Sequence, residues 1–346
     1  MKSCESASLI APKLPIVGVA AWSTEASVQT HFRRFAIPDV SSSNVHHFTG
    51  TGWQHDFRLF LDAIGDAAAE NVYGIVCHED ADLHPWMSAP IQQIRERIEG
   101  EWFPQLLDDR GIVSHFQAIY DFKQSDVIGF EALARGRSGE EIFDGGRMMR
   151  AARAYGKTRE FDAAARIAAI KGAGELFDDE DLLFVNLIPG GVTNPSRDFA
   201  FTWEAIRAAG IDPSRVVFEF VESESLPPIK DLKRIVEHLR SHGAQIALDD
   251  FGAGHSSVRI MEALRPDIVK FDRHLACSGL SISKQKLIRE MVNYVHSLGC
   301  KTVAEGVETV EQMAFVHACG FQMAQGYLIG FPCPKASRPV VPLHIG

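Results

Sequence analysis

From about Gly111 onward, short, nearly unbroken apolar runs alternate with longer amphipathic stretches. Eight runs read as strands: Val113–Tyr120, Val127–Leu133, Leu182–Ile188, Val216–Glu222, Gln245–Phe251, Asp267–Asp272, Lys301–Gly306 and Met323–Gly330. Runs without polar alternation suit strands covered on both faces. Between them, stretches such as Ile229–Ser241 and Lys284–Leu298 carry helical periodicity. Four such stretches end in Gly just before the next strand, at Gly210, Gly243, Gly299 and Gly320. Gly is favoured past a helix end because it accepts positive φ at little cost. A repeated strand, helix, Gly, strand rhythm requires parallel strands joined by crossovers. Eight of them predict an α/β fold of the (β/α)8, TIM-like kind. Only the segment Asp121–Asp126 separates the first two strands. It reads as a hairpin turn, so the opening strand is expected to run antiparallel.

The chain has 346 residues, room for a smaller unit beside such a barrel. The boundaries expected are 1–108 for a small N-terminal α/β region and 109–340 for the barrel. In the first region Ile75–Cys77 reads as the end of a short strand, and Phe57–Ala69 and Pro90–Leu107 read as helices. Its role is left open, with regulation by an unidentified signal or partner the candidate. Its histidines, His46, His47, His55, His78 and His84, allow metal or redox sensing, but solvated loop histidines are the plainer reading.

Hydrophobic residues make up 46% of the chain, enough for a packed core and against wholesale disorder. The formal net charge is −10 with no basic stripe, which argues against a grip on long nucleic acid. A small phosphorylated ligand stays compatible, because a bound metal supplies positive charge locally. The six cysteines are scattered without a CxxC pair and read as thiols of a reduced cytosol. The apolar stretch Leu9–Trp22 is interrupted by Pro12, Lys13 and Pro15, unlike a secretion signal. No run reaches the roughly 20 apolar residues that cross a bilayer. A cytoplasmic chain without a membrane span is expected.

Chemistry in a βα barrel gathers at the C-terminal strand ends. There the apolar runs are interrupted by Glu131, Asn186, Glu219, Glu222, Asp249, Asp250, Lys270, Asp272, Glu305 and Gln325. A lone buried polar residue is usually a structural hydrogen bonder. Five convergent carboxylates (Glu131, Glu219, Asp249, Asp250 and Glu305) with Lys270 as the cation among them are another matter. Two carboxylates about 4 Å apart repel by roughly 1–4 kcal/mol at effective dielectrics of 80 to 20, so protonation or cations must relieve them. An all-oxygen donor set favours Mg2+ or Mn2+ over zinc. The adjacent pair Asp249-Asp250 suits two bridged ions, as in phosphoryl displacement. Salt-bridged structural carboxylates and a carbanion-forming enzyme remain alternatives on spacing alone.

At these positions the sequence resembles the EAL domain family of cyclic di-GMP phosphodiesterases. The resemblance is carried by Phe116-Gln117-Ala118-Ile119, Glu131-Ala132-Leu133-Ala134-Arg135, Val185-Asn186-Leu187 and Glu219-Phe220-Val221-Glu222-Ser223. It continues through Asp249-Asp250-Phe251-Gly252-Ala253-Gly254-His255-Ser256-Ser257, Asp267–Asp272, Glu305-Gly306-Val307-Glu308-Thr309 and Gln325-Gly326-Tyr327. It implies one metal on Glu131, Asn186, Glu219 and Asp249, and a second on Asp249, Asp250 and Glu305. Glu305 would also act as general base, Lys270 would tune the attacking water, and Gln325 would assist. Arg135 would pair with a substrate phosphate, while Gln117, Leu133, Asp272 and Glu308 would contact the nucleotide. Glu222 would steady the loop after the fifth strand, where Gly252 and Gly254 allow tight turns.

The implied reaction is hydrolysis of cyclic di-GMP to linear pGpG by a homodimer. The rival reading is a catalytically weak receptor or interaction scaffold. Gly136, Gln322 and His255 depart from the common pattern without removing a proposed metal ligand. No diguanylate cyclase signature, neither GGDEF nor GGEEF, is present.

Overall fold

The computed structural model describes residues 15–38, 44–79, 87–221, 226–252, 257–277 and 281–338. The chain divides into two compact units: Met1–Asp108 with Gly146–Thr158, and Asp109–Gly145 with Arg159–Gly346.

The first unit runs β1 (Ile16–Ser23), α1 (Ala26–Phe35), β2 (Ile37–Pro38), β3 (His46–Thr49), α2 (Trp53–Ala69), β4 (Val72–His78), β5 (Ala89–Pro90), α3 (Ile91–Glu99) and α4 (Phe103–Asp108). Its strands form one antiparallel sheet in the order β2-β3-β1-β4-β5. Phe32 of α1 stacks on Phe60 of α2 at 4.6 Å, and Val19, Phe48 and Val76 of the sheet share their core.

Two readings of this region need correction, and one strand went unread. Ile16–Ser23 is a full strand, hidden in the sequence behind the prolines before it. His46 and His47 lie in β3 rather than in a solvated loop. His46 is buried, stacks on Phe32 at 4.5 Å, and shares a 3.2 Å hydrogen bond with Gln29 Oε1. Burial lowers its pKa. Finally, Pro90–Leu107 is two helices, α3 and α4, broken at 100–102. His84 lies outside the described residues.

The second unit follows as β6 (Ile112–Asp121), β7 (Asp126–Ser138) and β8 (Glu141–Asp144); after α5 (Gly145–Ala154), which from Gly146 onward belongs to the first unit, it resumes with α6 (Thr158–Leu176), β9 (Leu182–Leu187), α7 (Pro195–Asp198), α8 (Ala200–Ala208), β10 (Val216–Val221), α9 (Ile229–Ser241) and β11 (Gln245–Phe251). It ends with α10 (Ser257–Leu264), β12 (Ile268–Phe271), α11 (Arg273–Ala276), α12 (Ile282–Ser297), β13 (Lys301–Ala304), α13 (Val310–Ala318) and β14 (Met323–Gln325). All eight barrel strands expected from the sequence are present, although the last stops at Gln325 rather than Gly330. Pairing β6-β7-β9-β10-β11-β12-β13-β14, with β14 returning to β6, closes the ring.

Among the eight ring strands only β6 runs against its neighbours, antiparallel to both β7 and β14, while β8 adds an antiparallel edge to β7 outside the ring. The hairpin turn is held by Asp121 Oδ1, which accepts from the backbone N–H groups of Lys123 and Gln124 at 2.8 Å. Gly210, Gly243, Gly299 and Gly320 all take positive φ beyond their helices. The β14–β6 seam is short, and beside it Phe116 and Cys333 exchange a further pair of backbone hydrogen bonds.

Inside the ring, Ile119, Phe184, Val217, Ala247, Ile268, Val303 and Met323 form one buried apolar layer. Side chains on one strand face recur every second residue. Two residues beyond this layer therefore come Asn186, Glu219, Asp249, Lys270, Glu305 and Gln325. On reversed β6 the order inverts, and Gln117 precedes Ile119. The apolar layer is the floor on which the polar cluster stands.

Phe184 is fully buried in that floor. Phe184→Ala is expected to destabilise the barrel by about 3–5 kcal/mol. Urea melts followed with separate probes for the two units would test it; an unchanged barrel midpoint would contradict the role of this layer.

Candidate active site

The floor places Glu131, Asn186, Glu219, Asp249, Lys270, Glu305 and Gln325 at one end of the barrel. Lys270 and Glu219 have no solvent exposure at all. Lys270 Nζ lies 2.8 Å from Glu305, 3.0 Å from both Glu131 and Glu219, and 3.3 Å from Asp249. One ammonium thus faces four carboxylates in a site where effective dielectric is low and unpaired charge is costly. Burial would depress the Lys270 pKa, but the surrounding acids hold it well above the ordinary value.

The carboxylates are not equally provided for. Glu131 accepts from Lys270, from Gln325 Nε2 at 2.8 Å and from Asn186 Nδ2 at 3.0 Å. Burial works against its ionisation, yet these partners keep its pKa below the usual carboxylate value. Glu219 is the opposite case. Among the described residues its one close polar neighbour is the Lys270 ammonium, and its carboxylate is left without the further donors that Glu131 has. Burial, and then Glu131 and Asp249, push its pKa far up. Glu305 is raised strongly by burial and by Asp249, and Asp249 is raised by burial and by Glu131 and Asp250.

Two carboxylate triads emerge: Glu131, Glu219 and Asp249, and Asp249, Asp250 and Glu305. Within each, candidate ligand oxygens lie within 4.8 Å of one another. Asp249 belongs to both. Adjacent residues of a regular strand point to opposite faces, so the Asp249-Asp250 pair needs a local device. The β11–β12 register shifts between Leu248 and Phe251, and Asp250 takes φ +56°. Bulges of this kind re-aim side chains, and Asp tolerates the left-handed region better than most residues. The donor set fits hard divalent cations: it is all oxygen, with a fully buried carboxylate that, among the described residues, has only the ammonium beside it. Because the Asn186 amide nitrogen is spent on Glu131, its Oδ1 remains as the atom able to ligate such a cation.

Above the triads opens a cavity of about 260 Å³ lined by Gln117, Glu131, Asp250, Asp272, Arg273, Glu305, Gly306, Glu308, Gln325, Gly326 and Tyr327. Gln325 Nε2 also reaches Gln117 Oε1 at 3.2 Å, and Gln117 Nε2 donates to Gly330 O at 3.0 Å. Asp272 caps α11 through the backbone N–H of His274 at 2.9 Å. Glu308 lies 3.5 Å from Arg273. Leu133 and Arg135 are not among the lining residues, and an Arg135 N–H donates to Ala134 O at 2.9 Å. Gly252 takes φ +98°, and a Cβ there would collide with Leu275. Glu222 and Gly254 lie outside the described residues.

Sequence reasoning passed over three supporting residues. Arg273 is the arginine of the cavity wall, next in sequence to Asp272. Asp162 on α6 accepts the backbone N–H of Ile188 at 2.9 Å, two residues past Asn186, and pairs with buried Arg166. Burial brings the Arg166 pKa down to about 10.

The family of EAL domains matches residues 101–332. Cyclic di-GMP phosphodiesterase PdeL of Escherichia coli is 30% identical over 130 residues, covering 37% of this chain and 36% of that protein. The chain spans about half or less of the length of the curated relatives it matches. Among solved structures, a standalone EAL protein of Vibrio cholerae bound to c-di-GMP aligns with TM-score 0.58 at 28% identity, covering 66% of this chain and 95% of that one. The fold also resembles BlrP1 of Klebsiella pneumoniae, solved with manganese and cyclic di-GMP: TM-score 0.61, 22% identity, 93% of this chain and 98% of that one. No helix of the described residues is long and apolar enough to cross a membrane.

Glu219 and Glu305 hold protons above the ordinary value of 4.5. As pH rises past that value the unfolded chain releases protons that the fold retains, so stability falls. A cation bound only by the folded state restores about 2.7 kcal/mol at 100 times its Kd. Thermal midpoints in EDTA and in Mn2+ should therefore diverge as pH is raised from about 5 to about 8, because ligand carboxylates must deprotonate to bind metal. Histidines of lowered pKa, such as His46 and His238, affect both curves alike. Parallel curves would contradict the assignment of these acids as metal ligands.

Proposed function

The chain belongs to the EAL domain family, and on that premise we propose that it hydrolyses one phosphodiester of cyclic di-GMP to give linear pGpG. The observation that carries this reading is Asp249, shared between two carboxylate triads at the base of an open cavity. Glu131, Asn186, Glu219 and Asp249 would hold one divalent cation, and Asp249, Asp250 and Glu305 the other. Such a pair supplies Lewis-acid stabilisation of the phosphoryl oxygens and lowers the pKa of water. Mg2+ or Mn2+ suits the donor set.

The protein's own groups do the rest. Glu305 borders the cavity and carries a raised pKa, which suits a group that takes a proton from the attacking water. Lys270 offsets the carboxylates and holds Glu131 and Glu305 in register. Gln325 orients Glu131 from the β14 side and is itself held by Gln117 of β6. Arg273 offers its planar guanidinium to a substrate phosphate at the rim, a geometry that suits phosphate oxygens. Arg135 is retained as a second phosphate-binding candidate, with Leu133, Asp272 and Glu308 as nucleotide contacts. Glu222 with Gly252 and Gly254 is retained as the loop support. We place the chain in the cytoplasm as a homodimer, with 1–108 a regulatory region and 109–340 catalytic. Support for the compartment comes from the free thiols of Cys77, Cys277, Cys300, Cys319 and Cys333.

Incubating the full chain with cyclic di-GMP and Mg2+ or Mn2+ should yield pGpG, and EDTA should abolish it. Removing hydrogen-bond partners behind a metal ligand typically costs about 10- to 100-fold, so Glu131→Ala, which deletes a ligand, should lower kcat/KM at least about 100-fold. Lys270→Met should lower it comparably. Tight binding without turnover would support a receptor in place of an enzyme; neither binding nor turnover would overturn the reading.

A further inference from the structure

Beyond Gln325 the chain makes a tight turn. Ile329 and Gly330 both donate their backbone N–H to Gly326 O at 3.0 Å, and Leu328 donates to Val307 O at 3.0 Å. A side chain at Gly326 would collide with the backbone of Val307. This turn sets Tyr327 and Phe331 side by side, their rings stacked with centroids 4.4 Å apart and planes 24° from parallel. Both remain open to solvent, Tyr327 at 52% and Phe331 at 67% exposure.

Large aromatics left exposed as a preorganised pair are more informative than scattered surface apolar residues. The turn is also tied to the catalytic cluster, because Gln117 donates to Gly330 O while bonding Gln325. Tyr327 itself lines the cavity. That cavity, about 260 Å³, lies below the roughly 300–1,000 Å³ that enclose drug-sized ligands. A dinucleotide with its reacting phosphate over the carboxylates must therefore extend past the rim. The described lining there is acidic or amide in character, apart from Arg273, the glycines and Tyr327. Tyr327 is the one aromatic ring in that lining, and the Arg273 guanidinium is given to phosphate in the reading above.

We propose that the stacked Tyr327–Phe331 pair is a base platform: one purine of the substrate lies against Tyr327, with Phe331 supporting the ring from behind. The assignment rests on the phosphodiesterase reading above and adds a subsite to it. Phe331 acts as a positioning residue, holding Tyr327 rather than touching the reacting atoms. Base–aromatic stacking is tolerant of base identity because every base has a π-face, so the platform contributes affinity for a planar base and leaves base choice to polar groups.

The test is the Kd for cyclic di-GMP, measured by calorimetry on the full chain with Ca2+, alongside Mn2+ affinity measured without nucleotide. Tyr327→Ala should weaken nucleotide binding roughly 5- to 100-fold, the range set by loss of one stacked base. Tyr327→Leu, which keeps apolar bulk without a π-face, should weaken it nearly as much, whereas Tyr327→Phe should bind like the wild type. Phe331→Ala should show a smaller loss. Mn2+ affinity should be the same in all of them. Unchanged nucleotide affinity in Tyr327→Ala and Tyr327→Leu, with the wild type binding normally, overturns the platform alone. Loss of Mn2+ affinity together with nucleotide affinity overturns it in favour of a structural role. A wild type that binds no cyclic di-GMP overturns the functional reading and the platform with it.

Discussion

Everything at the open end of the barrel depends on a single ammonium held among acids. Lys270 is wholly buried and within 3.3 Å of four carboxylates. Without it, the acids delivered by four different strands would have no internal cation against which to settle. With it, the balance is still short, which is why Glu219 and Glu305 cling to protons while Glu131 does not. The difference follows from neighbours: Glu131 has Lys270, Gln325 and Asn186 as donors, and among the described residues Glu219 has only the ammonium beside it. The cluster is arranged to accept further positive charge, and the shared position of Asp249 determines that two centres can be served.

Much of this was legible in the sequence because the barrel obeys a period of two. An apolar floor residue followed two places later by Asn186, Glu219, Asp249, Lys270, Glu305 or Gln325 is a pattern visible without coordinates. Glycines after helices and the six-residue interval between the first two strands supplied the topology. The bulge at Asp250 was not legible. Both adjacent acids were expected in the cluster, but how one strand delivers both was hidden: a positive φ at Asp250 with a shifted register does it.

The first unit was read poorly for a different reason. Strands of two residues, such as Ile37–Pro38 and Ala89–Pro90, are too short to show any periodicity and contain proline. A four-residue strand beginning His46-His47 resembles a polar loop until Phe32 is seen stacked against the imidazole. Asp162 and Arg166 escaped notice because a buried pair four residues apart on a helix is spelled like an ordinary exposed one. Arg273 escaped because its neighbour Asp272 already accounted for that stretch of the pattern.

The reversed opening strand has a consequence for how the molecule matures. Its partner across the seam, β14, lies about two hundred positions later in the chain and contributes a short pairing, with Phe116 and Cys333 fastening it alongside. Pairings so distant in sequence must meet loop closure before their contacts reward it, which makes them slow to form. Gln117 and Gln325 sit on the two sides of that join and meet only when the ring shuts. A ribosome-bound chain that has extruded seven staves therefore owns the acids and Asn186 but not Gln325, the amide that completes the donors around Glu131. Competence arrives as one of the last events of folding.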